Sequence, residues 1–190
     1  FPGEQIVGMA TGSGEITADV VFAGYGITAP ELGYDDYSNI DVKGKIVLIN
    51  RDVPFKDASD PEYSKWVKYC YHIEKLQNAV RHGASGLLYI DGNIANPNIA
   101  YDPSIIVFGI SQAVTDDIFA LCNKDMKDIF NTIDKTFKPA SFNTGVKMLM
   151  KAESVYHPEG KGCNIIGVIP GSDPALSSES IVVGGHFDGQ

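Results

Sequence analysis

Nothing in this chain is both long and uniformly apolar. Its apolar runs stay far short of the ~20 residues needed to cross a bilayer as a helix, so a helical membrane span is excluded. Positive charge is also scarce: 15 Lys and Arg stand against 24 Asp and Glu, a formal net charge of −9. With no basic stripe to offset that acidity, the composition argues against nucleic acid as a partner and against adhesion to anionic membranes. The three cysteines, Cys70, Cys122 and Cys163, are widely spaced and form no CxxC pair. An odd count gives no closed disulfide framework, and three buried thiols are expected. GxSxG, P-loop and GxGxxG signatures are missing, and so is any N-x-S/T sequon. The chain opens at Phe1 rather than Met, so the lack of a signal peptide carries no information.

What is present is ordinary core material. With 44% hydrophobic and 10% aromatic residues in 190, the chain can bury a sizeable core, as one domain or as a domain with a further fragment. Residues 15–27 are rich in strand formers, and Gly24 and Gly26 flank Tyr25 as at a bend or bulge. Residues 28–40, with Pro30, Gly33 and a polar YDDY, read as a loop. Residues 46–50 form a short apolar run of the fully buried kind. Residues 62–82 predict one helix, since Trp66, Cys70, Ile73, Leu76, Gln77 and Val80 recur at steps of three and four and Gly83 supplies the stop. A second buried strand follows at 86–90. Strand, helix, strand favours a parallel crossover. Residues 105–110 read as another strand, Ser111 as the cap of a helix through Leu121, 125–137 as a further helix, and 145–156 as a closing strand.

Composition shifts near 157–163, a linker-like stretch. Two apolar strands are expected beyond it, at 164–169 and 181–185, joined by the turn-rich segment 170–180. The second delivers His186 and Asp188 at its C-terminal end, where open α/β sheets place ligands. The organisation expected is a lead-in at 1–14, a domain at 15–156, a linker at 157–163 and the start of a second domain at 164–190. The fold class is mixed α/β.

Several residues are similar to those of known families. VFAGYGI at 21–27, YDDY at 34–37, DVKGKIVLI at 41–49 and AVRHGASGLLYI at 79–90 resemble a protease-associated (PA) domain. That resemblance implies a twisted sheet or open barrel with flanking helices. NIIGVIPG at 164–171 and the run ending in His186-Phe187-Asp188 resemble the first two strands of a zinc aminopeptidase domain of the aminopeptidase Y and bacterial leucyl aminopeptidase type. It implies a site of two zinc ions, with His186 a ligand and Asp188 the carboxylate that orients a ligand histidine. The family's remaining ligands and general base have no counterpart up to Gln190. The resemblance further implies a secreted, periplasmic or cell-surface enzyme acting on peptides, with this module shaping access to the site. The alternative is a non-catalytic protein- or peptide-binding module.

Other candidates read as structural. His72 and His82 lie on the long helix, and Arg81 and His82 suit its C-terminal dipole. His157 is expected at the surface. The Asp35-Asp36 pair resembles a paired-carboxylate site, but loop packing is the expected role, and Asp116-Asp117 suits the first turn of a helix. The two terminal strands expose edges and apolar faces, so they are expected to pair as a hairpin and dock on a second copy, or to swap into one, giving a homodimer through residues 164–190.

One ligand and one orienting carboxylate cannot complete a tetrahedral zinc site or position a general base. The 190-residue chain alone is therefore expected to release no N-terminal residue from peptides in added zinc. Zinc-dependent release that co-purifies with the chain and is lost in H186A would overturn this.

Overall fold

A computed structural model describes residues 10–55, 57, 59–90, 100–157, 159, 165–176 and 178–185. Two units divide the chain, Phe1–Tyr156 and His157–Gln190. The first holds a five-stranded sheet built from β1 (Gly14–Phe22), β4 (Ile46–Ile49), β5 (Gly86–Ile90), β6 (Ile106–Ile110) and β7 (Phe142–Ala152), in the order β6-β5-β4-β1-β7. A separate two-stranded ribbon pairs β2 (Thr28–Ala29) with β3 (Tyr34–Asp35). The helices are α1 (Tyr63–Trp66), α2 (His72–Arg81), α3 (Gln112–Leu121) and α4 (Met126–Thr136). The fold is mixed α/β, as expected.

β1, β4, β5 and β6 run parallel, and β7 closes the sheet antiparallel to β1. Every residue of β4 and β5 is buried, so these strands read as unbroken apolar runs instead of alternating ones. Side chains still alternate between faces. Ile46 and Leu48 join Phe22, Phe119, Phe130 and Ile133 on the side of α3 and α4, whereas Val47 and Ile49 join Leu76, Ala79 and Tyr89 on the side of α2. Phe22 anchors the first side, with ring centroids 5.3 Å from Phe119, 5.6 Å from Phe130 and 5.2 Å from Phe142. The expected parallel pairing of β4 and β5 is observed, with Leu48 opposite Leu88.

The sheet curls far enough for the lead-in to reach both edges. Gly12 N–H donates to Ile105 O, and Thr11 Oγ1 accepts from Val107 N–H, at the start of β6. Ser154, just past β7, donates its hydroxyl to Thr11 O and its amide to Ser13 Oγ.

Both later helices carry side-chain caps, the one at Ser111 as expected. Ser111 Oγ accepts from Val114 N–H, and an Asp125 carboxylate oxygen accepts from Asp128 N–H. The single helix expected over 62–82 is not observed. α1 passes into a 3-10 turn, Val67–Cys70, and Tyr71 is extended (φ −69°, ψ 137°) before α2 begins. The break lets the two halves bury different sides: Trp66 and Tyr69 face the α3/α4 cluster, Leu76 and Ala79 the opposite one. The loop expected at 28–40 contains the β2–β3 ribbon, and β7 starts three residues earlier than expected. Cys70 and Cys122 are free and half-buried instead of fully buried; Cys163 lies outside the described residues.

In the second unit the expectation of two strands is corrected. Among the described residues, 165–170 and 181–185 form no strand, and only a 3-10 turn, Pro174–Leu176, is regular. Ile165, Ile166, Val168, Ile169, Ile181, Val182 and Val183 are all exposed. A two-stranded ribbon alone is marginal in water, so apolar character without a third strand or a covering layer does not fix a hairpin. His157 is exposed, as expected.

Two glycines separate hard from soft constraints. A Cβ at Gly12 would lie 2.7 Å from both Ile105 O and Pro103 O, which are backbone atoms. One at Gly86 would meet side-chain atoms only, Met150 Sδ (2.8 Å), Ile16 Cδ1 and Ile46 Cγ1 (both 3.0 Å). Gly12→Ala is expected to destabilise the chain by about 2–3 kcal/mol, and Gly86→Ala by less. Urea unfolding of both variants checks this; G12A at wild-type stability would contradict it.

Candidate functional site

His186 and Asp188, the zinc-site residues suggested by sequence, lie outside the described residues. Among the described residues no group of three or more His, Cys, Asp or Glu side chains could hold a metal ion. One His and one Asp do not complete a zinc centre by themselves.

What the structure does gather is a buried polar knot where β1 ends. After Phe22 the chain turns through residues 23–27, with Gly24 at φ 50° and Gly26 at φ 68°. Gly26 N–H donates to Ala23 O at 2.7 Å and closes the turn. The amides of Tyr25 and Ile27 both donate to Asp36 Oδ2, each at 3.1 Å, and Tyr34 Oη donates to Oδ1 at 2.8 Å. Asp36 is only 1% exposed. Asp35 points elsewhere, accepting from Thr28 Oγ1 (2.8 Å) and Tyr37 N–H (2.9 Å). The two carboxylates are not an acid–base pair; both organise the loop, as expected.

α2 completes the knot from its buried face. Lys75 Nζ donates to Tyr25 O (2.5 Å) and Asp52 O (2.8 Å), tying the turn to the loop after β4. Asn78 Nδ2 donates to Gly26 O (2.9 Å) and Thr28 Oγ1 (3.2 Å). Sequence reasoning missed Lys75, Asn78 and Tyr34. A signal was available: Lys75 and Asn78 interrupt the buried face of an amphipathic helix beside Leu76 and Ala79, where a polar group must find a partner.

Charge in this interior is held against burial. Burial pushes the Asp36 carboxyl from its ordinary 3.8 up to about 7, against its hydrogen-bond donors and the nearby Lys75 cation. Burial pulls Lys75 down to about 8, with Asp36 opposing. Burial also holds the Tyr34 phenol far above its ordinary value.

The two helix histidines have structural surroundings. His72 is buried, its Nδ1 lies 2.8 Å from Tyr89 Oη, and its Nε2 has no partner; burial lowers it to about 4. His82 stacks on Tyr37 with centroids 4.2 Å apart. Its Nε2 is 3.3 Å from Thr28 Oγ1, whose hydroxyl also meets Asp35. Hydroxyl, imidazole and carboxylate are thus adjacent, but wired wrongly for nucleophilic catalysis. The Thr28 proton goes straight to the carboxylate, and the oxygen is already bonded by Asn78, so the imidazole cannot act as its base.

A cleft opens beside the knot, lined by Gly26, Ile27, Thr28, Tyr69, Glu74, Lys75, Asn78 and Arg81, with a volume of about 30 Å³. That is room for water; ligand pockets run to about 300–1,000 Å³.

Residues 16–118 match the family model described as PA domain. Among solved structures, the aminopeptidase from Aneurinibacillus sp. strain AM-1 is 25% identical over 58% of this chain, with a TM-score of 0.39. At that score the superposition supports no argument about geometry. The chain spans 22% of that protein's length. No curated protein matches the chain.

The knot and His72 make opposed contributions to stability. Asp36, raised in the fold, contributes stability that is present below its ordinary 3.8 and lost as pH climbs to about 7. His72, lowered in the fold, contributes stability that is present above 6.5 and lost as pH falls to about 4. Between pH 4 and 6.5 the slopes oppose each other. Urea unfolding of D36N is expected to show stability rising with pH across that window, and H72N to show it falling, each by up to about 3 kcal/mol. Two variants with the same sign of slope would refute the assignment.

Proposed function

Because this chain belongs to the PA domain family, we propose that it is the accessory module of a secreted zinc metallo-aminopeptidase, shaping access of peptide substrates to a catalytic site built largely from other parts of the protein. The observation that carries this is the PA match at 16–118, together with the apolar run downstream that leads to His186 and Asp188 in the sequence. The polar groups of the knot are bonded to one another, so the module contributes shape and contact surface and leaves the chemistry elsewhere.

In that reading His186 would be a zinc ligand and Asp188 would accept the other N–H of a ligand imidazole, fixing its tautomer. Zinc bound there would polarise a peptide carbonyl and activate water. Residues 23–27 at the carboxyl end of β1 are buried, whereas the loop after β4, held by Lys75, exposes Arg51 and Asp52 as surface available to a peptide. A peptide-binding module with no catalytic partner is the second reading, and the same experiment separates the two.

The test uses the complete natural protein that contains this chain. It is expected to bind zinc and to release N-terminal residues. H186A is expected to lose bound zinc, measured by atomic emission, along with at least 100-fold in kcat/KM. Deleting residues 10–156 is expected to alter KM for long peptides more than for dipeptides. A complete protein that binds no zinc and cleaves nothing, yet captures peptides through this module, would establish the second reading.

A further inference from the structure

We propose that the turn at residues 23–27 is a carboxylate-binding nest, occupied in this fold by the chain's own Asp36. The donors are in place regardless of where the carboxylate comes from. Positive φ at Gly24 and Gly26, on either side of Tyr25, brings the amides of Tyr25 and Ile27 to one point, 3.1 Å from the same oxygen. Backbone concavities of this kind bind anions, and here the amides of Tyr25 and Ile27 favour the ionised carboxyl against the burial that opposes it. Tyr34 Oη takes the second oxygen at 2.8 Å, and Lys75 adds a positive charge on the carbonyl side of the turn.

The concavity also fits a carboxylate in shape. An ideal Cβ on Gly24 would sit 2.4 Å from Asp36 Oδ1, 3.0 Å from Cγ and 3.3 Å from Oδ2. A side chain at position 24 would collide with the carboxylate, and only glycine leaves the space. Asp36 is therefore a tethered ligand. Its docking is an intramolecular binding event at high effective concentration, and it latches the β2–β3 ribbon to the end of β1. This inference does not rest on the accessory-module reading.

Removing the tethered ligand should leave a vacancy for a free one. In the full 190-residue chain, D36G is expected to lower the melting temperature. Sodium formate should then raise it saturably, by roughly 3–6 °C over sodium chloride of equal ionic strength, while leaving wild type unchanged. G24A is expected to be strongly destabilising in wild type and much less so in D36G, and the G24A/D36G double variant should not respond to formate. Equal effects of formate and chloride on D36G, or the same formate shift in wild type and the double variant, would overturn the proposal. If D36G does not fold in chloride, refolding from urea in formate reads the same question: recovery supports the nest and equal failure in both salts refutes it.

Discussion

A carboxylate buried to 1% exposure cannot simply be set inside a protein. Stripping an ion of water costs several kcal/mol even after relaxation, and only good geometry and further hydrogen bonds offset it. At Asp36 the offset comes from two amides, one phenol and the field of Lys75. The amides converge only because the backbone turns through positive φ twice in three residues. Gly24 is required twice over, by its conformation and by the space a Cβ would take from the carboxylate. Gly26 is likewise at positive φ, and a Cβ there would lie 2.9 Å from the Ile49 Cδ1 atom. The path of the chain from β1 into the ribbon thus follows from satisfying one buried carboxyl group.

The same turn leaves carbonyls to be satisfied, and α2 supplies the donors. Lys75 takes Tyr25 O and Asn78 takes Gly26 O. This explains why a helix whose buried face packs Leu76 and Ala79 also buries an ammonium and an amide. A shorter apolar residue at 75 would leave the carbonyls of Tyr25 and Asp52 without their donor and Asp36 without its nearest cation. The loop after β4 is held through that same ammonium, so three chain segments far apart in sequence share one polar centre. The break at Tyr71 belongs to this arrangement, since it lets α2 face the turn while Trp66 packs on the other side of the sheet.

The parts legible from sequence are those fixed by local pattern. β4 and β5 announce themselves because burial on both faces leaves no polar residue in either run, α3 because Ser111 stands at its cap, and α4 because Met126, Ile129, Phe130 and Ile133 recur on one face. The interruption at Tyr71 was hidden, because the apolar stripe continues across it and tertiary packing overrides the periodicity. The knot was half legible: the two glycines and the Asp35-Asp36 pair stood out, but not their joining through Lys75, nearly forty residues from Asp36. The metal-site residues were legible only through family likeness, and the described residues add nothing to them.

Catalysis needs polar groups that are poised but unspent, ready to bond a reacting atom. In the described interior two buried side-chain polar atoms lack a partner, Tyr37 Oη and His72 Nε2. Neither suits the task. Burial drives the Tyr37 phenol far above its ordinary value, out of reach of physiological titration, and burial keeps His72 neutral at neutral pH with its ring shielded from solvent. Every other strong donor and acceptor of the knot is engaged, and the adjoining cleft holds little more than water. Among the described residues that interior spends its polar groups on its own bonds. In a module that positions a peptide, as proposed, loops ordered before contact would lose less entropy on binding.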